Sequence, residues 1–289
     1  MKKIISIALI LVMLLGCIGA LASCGDNSII VHTNAFFAPF EYYDGTNIVG
    51  VDVEIMDMVG KELGKDIVFE NVEFSAIIDN VQAGEKCDAG AAGITITDAR
   101  KEKVAFSVPY YTSIQYVIVP ANSTIETRTG DNGEYIVWEA LEGKKIGTQL
   151  DTTGWIYTDG EINATEDNDY GYAGTLYGTN TEHKGFDNAQ LAADGIGSNI
   201  VDCVIIDELP AKYIVSKNSG LKCIPLYYSG ETQAEDEPVQ EQYAICVNKE
   251  NTELLDAINK VLNSLLNDKD ENGVNAIEKM VMKHMGMEK

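Results

Sequence analysis

The chain is 289 residues long and carries 21 Lys plus Arg against 45 Asp plus Glu, a formal net charge of −24. Neutralising phosphates needs clustered cations, so this balance speaks against a nucleic-acid binder. Hydrophobic residues at 45% and aromatic residues at 8% exclude a disordered chain and predict packed cores in one large or two medium domains.

At the N-terminus, Lys2 and Lys3 precede an uncharged, mostly apolar stretch from Ile4 to Ala22, the pattern of an export signal. A stretch of that length can also remain as a membrane-spanning helix. Leu21-Ala22-Ser23-Cys24 resembles the lipobox of bacterial lipoproteins, which implies removal of residues 1–23 as a signal peptide, a palmitate-type lipid on Cys24 and a body outside the cytoplasmic membrane. Cys17 fits less well, because Leu15 stands where that pattern prefers a small residue. Cys87, Cys203, Cys223 and Cys246 are irregularly spaced and form no CxxC pair; Cys203 and Cys246 sit in strand-like runs and read as small buried hydrophobes rather than as disulfide partners.

Further along, Asn27–Thr33 reads as a buried strand. Val51–Leu63 reads as a helix with apolar residues at 51, 55, 56, 59 and 63 and with Gly64 placed to cap it. A strand at Asp66–Asn71, a helix at Phe74–Gln82 and a strand at Asp88–Ala92 follow. This alternation predicts βαβ units and a mostly parallel sheet. A strand at Ile114–Val119 and a polar stretch lead to a second alternation: helix Glu134–Leu141, strand Lys144–Thr148, a helix from Thr152, strand Ile200–Ile206 and helix Glu208–Ser216. Residues 159–185 are rich in Gly, Asn, Asp, Thr and Tyr and read as a long surface insertion, and Glu231–Glu241 as an acidic loop. Strand Tyr243–Val247, a helix striped by Leu254, Leu255, Ile258, Val261, Leu262 and Leu265, and a last helix over Gly273–His284 complete the chain.

Signals for catalysis, metals and cofactors are weak. His32, His183 and His284 are far apart, and no HExxH, GxSxG or P-loop occurs. Gly195-Ile196-Gly197 lacks the third glycine and preceding strand of a dinucleotide fingerprint and reads as loop. Asp268, Asp270, Asn272 and Gly273 mimic the start of a calcium loop, but Lys279 stands where the chelating Glu belongs, so a plain turn is expected. No cofactor is expected.

Four separated segments carry the positive signal. They are Asn34-Ala35-Phe36-Phe37-Ala38-Pro39-Phe40-Glu41-Tyr42 with Gly50-Val51-Asp52-Val53-Glu54, Ala91-Ala92-Gly93-Ile94-Thr95-Ile96-Thr97-Asp98-Ala99-Arg100, Gly143-Lys144-Lys145-Ile146-Gly147-Thr148-Gln149-Leu150-Asp151-Thr152-Thr153-Gly154, and Val204-Ile205-Ile206-Asp207-Glu208-Leu209-Pro210-Ala211. In this order and spacing they resemble family 3 extracellular solute-binding proteins, the amino-acid receptors of ABC importers, over nearly all of residues 28–286. The resemblance implies a two-lobed, hinged α/β fold of the periplasmic-binding-protein type II, with the ligand in the cleft. Lobe 1 would be 26–112 with 243–289, and lobe 2 would be 113–242.

The resemblance also implies site roles. Arg100, with its two parallel donors, would anchor the α-carboxylate, helped by Thr95 and by the backbone N–H of Thr153. Asp207 would accept the α-ammonium together with the Gly93 carbonyl, and unaided it reads as a helix N-cap. Phe37 and Phe74 would sandwich the aliphatic part, and Asn34 and Gln149 would approach the side chain. A neutral Asn34 leans towards an uncharged polar amino acid. Asp151 departs from the family pattern, which has Gly there. The expected partners are a free α-amino acid, an ABC permease and, through lipid, the membrane, with the protein a monomer. Two rival readings are a same-fold lyase such as a cyclic-acid dehydratase and an amino-acid-sensing lipoprotein.

Overall fold

A computed structural model describes residues 27–165 and 171–287. Cys24 and the stretch expected to be an export signal therefore lie outside the described residues. In chain order the first elements are β1 (Ser28–Thr33), β2 (Phe36–Phe37), β3 (Glu41–Asp44), β4 (Asn47–Val49), α1 (Val51–Leu63), β5 (Asp66–Asn71), α2 (Phe74–Ala83), β6 (Ala89–Gly90), α3 (Asp98–Lys103) and β7 (Ala105–Phe106). Next come β8 (Tyr111–Pro120), β9 (Arg128–Gly130), β10 (Gly133–Val137), β11 (Lys145–Gln149), α4 (Thr153–Asn163), β12 (Glu182–Phe186), α5 (Ala189–Gly197), β13 (Cys203–Asp207), α6 (Glu208–Lys217) and β14 (Leu221–Tyr228). Last are β15 (Glu237–Pro238), β16 (Gln240–Tyr243), β17 (Cys246–Val247), α7 (Thr252–Asn267) and α8 (Ala276–His284).

Among the described residues these strands form two main sheets and a small third one of order β2-β3-β4. The first runs β5-β1-β6-β17-β7, with β1 parallel to both neighbours and β17 antiparallel to β6 and β7. The second runs β12-β11-β13-β8-β14-β10-β9, with β15 added to β14 and β16 to β8. The chain passes from the first sheet to the second between β7 and β8, and back between β16 and β17. The two crossings lie side by side, because β16 pairs antiparallel with the start of β8, Gln240 opposite Ile114 and Tyr243 opposite Tyr111.

The local reasons are those of the pattern. The α1 stripe Val51, Ile55, Met56 and Val59 is buried against α7, and Gly64 ends the helix at φ 65°, a left-handed cap that costs glycine little. Every residue of β13 is buried: Val204 and Ile206 join one core while Cys203 and Ile205 join the other, so both faces of that sheet are covered.

Several sequence expectations are corrected. Glu134–Leu141 is not a helix: Tyr135-Ile136-Val137 forms β10, paired with β9 and β14, and only Trp138–Leu141 makes a single 3-10 turn. Three consecutive aromatic and β-branched residues favour a strand covered on both faces. Gly195-Ile196-Gly197 is the end of α5 rather than a loop; Asn188 starts this helix by accepting the Leu191 N–H at 2.9 Å. The insertion is shorter than 159–185, because α4 runs to Asn163 and Glu182–Phe186 adds an edge strand beside β11. Within the acidic loop, Gln240–Tyr243 is strand. Asp270 accepts the N–H groups of Asn272 and Val274 and lies 3.5 Å from Lys279, which makes the calcium look-alike a turn. Cys87, Cys203, Cys223 and Cys246 are free thiols.

Candidate functional site

The site grows from strand ends that face each other across the cleft. On the lobe 1 side, the chain leaves β1 at Asn34, turns through Phe37 and Glu41, and returns at Ala92-Gly93 and Thr95 after β6. Phe37 lies 6.2 Å from the Tyr243 ring. Gly93 has φ 53°, and a Cβ there would sit 2.7 Å from the Phe37 ring, so glycine is required both by the backbone and by the aromatic wall. Its N–H donates to the Asp52 carboxylate at 3.0 Å. Thr97 caps the short α3, accepting the Arg100 N–H, and this fixes the direction in which Arg100 leaves the helix.

On the lobe 2 side, Gln149 ends β11, Thr152 caps α4 by accepting the Trp155 N–H, and Thr153 is the first helical residue. The N–H groups of a helix's first turn have no partner within the helix and favour an anion. Asp207 ends β13 and precedes α6, yet its side chain does not cap that helix. Its carboxylate instead accepts from Gln115 Nε2 at 2.6 Å and from the Tyr243 hydroxyl.

The structure brings all nine sequence-selected cleft residues, Asn34, Phe37, Phe74, Gly93, Thr95, Arg100, Gln149, Thr153 and Asp207, onto the walls of one cavity. The cavity is nearly shut, with about 20 Å³ of free space. A groove of about 600 Å³ between the β9–β10 turn and the Gln233–Asp236 segment is larger by the same measure, but exposed loop residues make up most of its rim.

Arg100 is 8% exposed and spans the cleft. Its Nη1 donates to the Thr95 carbonyl and its Nη2 to the Asp151 carbonyl, each at 2.9 Å, and its guanidinium lies 5.4 Å from the Phe74 ring centre. Asp151 holds φ 59°, a left-handed value that explains why its position suits glycine. Asn34 is engaged at both ends of its amide: its Nδ2 donates to the Val72 carbonyl at 2.7 Å and its Oδ1 accepts from Gln149 Nε2 at 3.0 Å.

Four carboxyl groups are buried at the cavity: Glu41 and Asp207 on its wall, and Asp52 and Glu241 bonded to the wall residues Gly93 and Thr95. Burial pushes the Asp52 carboxyl up to about 6, against the pull of hydrogen bonds from Tyr110 and the Gly93 N–H. Burial, with the neighbouring Asp52 and Asp207 charges, pushes Glu41 well above the usual carboxylate range. No N–H or hydroxyl donates to either Glu41 oxygen among the described residues, and the carboxyl instead stands against that of Asp52, which its proton favours in the ionised form. Asp207 is pushed up by burial and then by the Glu241 charge. Glu41, Gln115, Glu241 and Tyr243 were not singled out from the sequence. Glu41 lies within a quoted motif, but the others sit in ordinary strand or acidic-loop sequence and carry no local signal.

The histidines lie elsewhere. His32 lies beside Glu70, His284 beside Glu54, and His183 bonds Thr148 at 2.7 Å, with burial holding its imidazole down at about 4. Among the described residues, no group of three or more His, Cys, Asp or Glu is placed to hold a metal ion.

Comparison with known proteins agrees with this architecture. The chain is 27% identical to the arginine-binding extracellular protein ArtP of Bacillus subtilis, covering 93% of this chain and 94% of that one. It is 24% identical to a probable histidine-binding protein of Campylobacter jejuni, covering 66% of this chain and 64% of that one. The amino acid ABC transporter substrate-binding protein AbpA of Streptococcus pneumoniae, solved bound to L-arginine, superposes with a TM-score of 0.70 at 26% identity, covering 91% of this chain and 98% of that one. The family model for bacterial extracellular solute-binding proteins, family 3, matches residues 29–275, and the chain belongs to that family.

Proposed function

We propose that the protein captures a cationic α-amino acid, arginine foremost, between its lobes and presents it to an ABC permease from a lipid anchor at Cys24. The observation that carries the choice of side chain is Glu41: a buried carboxyl on the cavity wall to which no N–H or hydroxyl donates and whose one polar neighbour is the Asp52 carboxyl. A guanidinium has five N–H donors and no acceptor, and its arrival would hold Glu41 ionised through charge-assisted hydrogen bonds. The surplus of buried acids over Arg100 favours a ligand with positive charge. The arginine-binding and histidine-binding names of the relatives support the same reading.

This replaces the expectation of an uncharged polar ligand drawn from Asn34. That amide is spent on Val72 and Gln149, so it bridges the lobes and does not report the ligand's charge. Arg100 and the N–H groups of Thr95 and Thr153 would take the α-carboxylate, and Asp207 with the Gly93 carbonyl the α-ammonium. Phe37 and Phe74 would flank the methylene chain, and Gln149 would close over it. Contacts from both lobes are satisfied together only when the cleft is shut, so the ligand stabilises closure by its differential contacts. With about 20 Å³ of free space in the shut cleft, admission requires the lobes to part at the paired crossings.

Isothermal calorimetry with arginine, lysine, histidine and glutamine tests the reading. Arginine should bind most tightly, and Glu41→Gln should weaken arginine by about 2 kcal/mol while leaving glutamine nearly unchanged. Equal losses for both ligands would remove Glu41 from the side-chain subsite. Retention of wild-type protein in the membrane fraction, with release of Cys24→Ala, checks the anchor.

A further inference from the structure

Beneath the cavity floor, β16 places Glu241 against both lobes. Its Oε2 accepts from the Thr95 hydroxyl of lobe 1 and from the Thr153 hydroxyl of lobe 2, each at 2.5 Å, while Oε1 accepts from Gln115 Nε2. The same Gln115 nitrogen also donates to Asp207, so one amide ties the two acids together. Glu241 is 4% exposed and does not itself line the cavity, whereas both threonines do.

A hydroxyl has one proton to give. With both protons turned inward to an ionised Glu241, the threonine oxygens offer the cleft only lone pairs, which repel an incoming carboxylate. When Oε2 carries a proton it donates to one threonine, whose own proton is then released towards the cleft. The two hydroxyl oxygens are 3.4 Å apart, close enough to pass that reorientation between them. The proton comes from solvent: one O–H bond forms on Oε2 as one breaks in hydronium, and the threonine hydroxyls only rotate.

Resting on the amino-acid reading above, we propose that Glu241 is a positioning residue that sets the hydrogen-bond direction of Thr95 and Thr153, so that the ligand carboxylate is received when Glu241 carries a proton. Thr95 is held for this role by the hinge: Ile96 N–H donates to the Gln242 carbonyl and Ala244 N–H to the Ile94 carbonyl. Thr95 itself stands in the non-bonded pair opposite Tyr243. The groups facing Glu241 are Arg100 from α3, Asp207 from β13, Tyr157 from α4, Tyr228 from β14 and Tyr243 from its own strand. Burial favours the protonated form, while Thr153, Thr95, Gln115 and Arg100 favour the ionised one, and the balance lies above the usual carboxylate range. The facing tyrosines are pushed to higher pH by burial, and Arg100 keeps its charge. Ionisation of Asp207 has the opposite sign, since it strengthens the hold on an ammonium.

The experiment is calorimetric titration of the whole exported chain with L-arginine from pH 5 to pH 9, for wild type and Glu241→Gln. The glutamine amide stands in for the protonated carboxyl. Wild-type affinity should fall by about tenfold per pH unit beyond its midpoint. Glu241→Gln should show no such fall, and at pH 9 should bind at least about tenfold more tightly than wild type. Titration of the ligand's own amine is common to both proteins and cancels in the ratio. Thr153→Val gives a second readout, with a shallower pH slope, should the glutamine variant not fold. Parallel pH profiles for wild type and Glu241→Gln, with arginine bound by both, overturn the role of Glu241 alone. No heat from arginine, lysine, histidine or glutamine with wild type at any pH overturns the amino-acid reading as well.

Discussion

Arg100 and Arg128, the two arginines of the chain, sit in regions that treat the same guanidinium in opposite ways. Arg128, on the β9–β10 hairpin, is 36% exposed and meets a carboxylate directly: its Nη1 lies 2.7 Å from Asp236, which also accepts from the Tyr135 hydroxyl and the Gly230 N–H. Arg100 is buried and donates to two backbone carbonyls from opposite lobes, while no protein carboxylate closes on it as a salt bridge among the described residues. The carboxylates nearest in influence, Glu241 and Asp207, raise its affinity for its proton only from a distance, and burial outweighs them. A guanidinium whose partner is built into the fold is structural. One oriented by carbonyls, with its charge left uncompensated at contact distance, is the one we propose for the ligand carboxylate.

Removing Arg100 should break the contrast most severely. Arg100→Ala is expected to weaken arginine binding by about 4 kcal/mol, roughly a thousandfold, with the ligand carboxylate left unpaired in a buried cleft. Calorimetry reads this, and a loss below tenfold would place the carboxylate elsewhere.

An acid behind the cleft and one on the hairpin should differ in sign with pH. Asp52, which accepts the Gly93 N–H, has a folded-state carboxyl raised from 3.8 to about 6, so the ligand-free fold binds the extra proton. Its contribution is complete below about pH 4 and is lost as pH rises through 6, roughly two units or at most about 3 kcal/mol. Asp236 beside Arg128 is the reverse: burial is outweighed by hydrogen bonds from Arg128, Tyr135 and Gly230, its carboxyl is held low, and its contribution is lost as pH falls. Urea unfolding at pH 4 and pH 7 should show a drop for wild type that Asp52→Asn largely removes.

Arg128→Ala should cost about 1 kcal/mol of stability, seen as a fall of about 2–4 °C in Tm, and leave arginine affinity unchanged. Any large change in affinity would mean that the hairpin communicates with the cleft. The smallest effect should come from Asp151→Gly, which relieves the left-handed backbone while keeping the carbonyl that holds Arg100. It should gain about 0.5 kcal/mol in thermal unfolding, with affinity intact.

These residues also show what a sequence reveals. The helices α1 and α7 were legible because their apolar stripes repeat at helical spacing and Gly64 marks an end. The nine cleft residues were selected through the family resemblance, eight of them within the quoted motifs and Phe74 outside them, at the start of α2. Glu241 was not, because a buried acid in an acidic segment reads like a solvated one until the strand beside it is known. The shortfall at α5 arose from two glycines in its last turn, and that at β10 from acid and apolar residues spaced ambiguously enough to read as a helix. The environment of Asn34 was not legible, because its two hydrogen-bond partners come from distant parts of the chain.

The position of β17 bears on the order of assembly. It lies between β6 and β7 in the first sheet, although more than 130 residues separate it from β7 in sequence. A growing chain therefore completes the second lobe while the first still has a gap in its sheet, and α7 and α8, which cover α1, arrive later still. The lobe that begins first is finished last, and until residues 246–247 arrive β7 has no neighbour on which to pair.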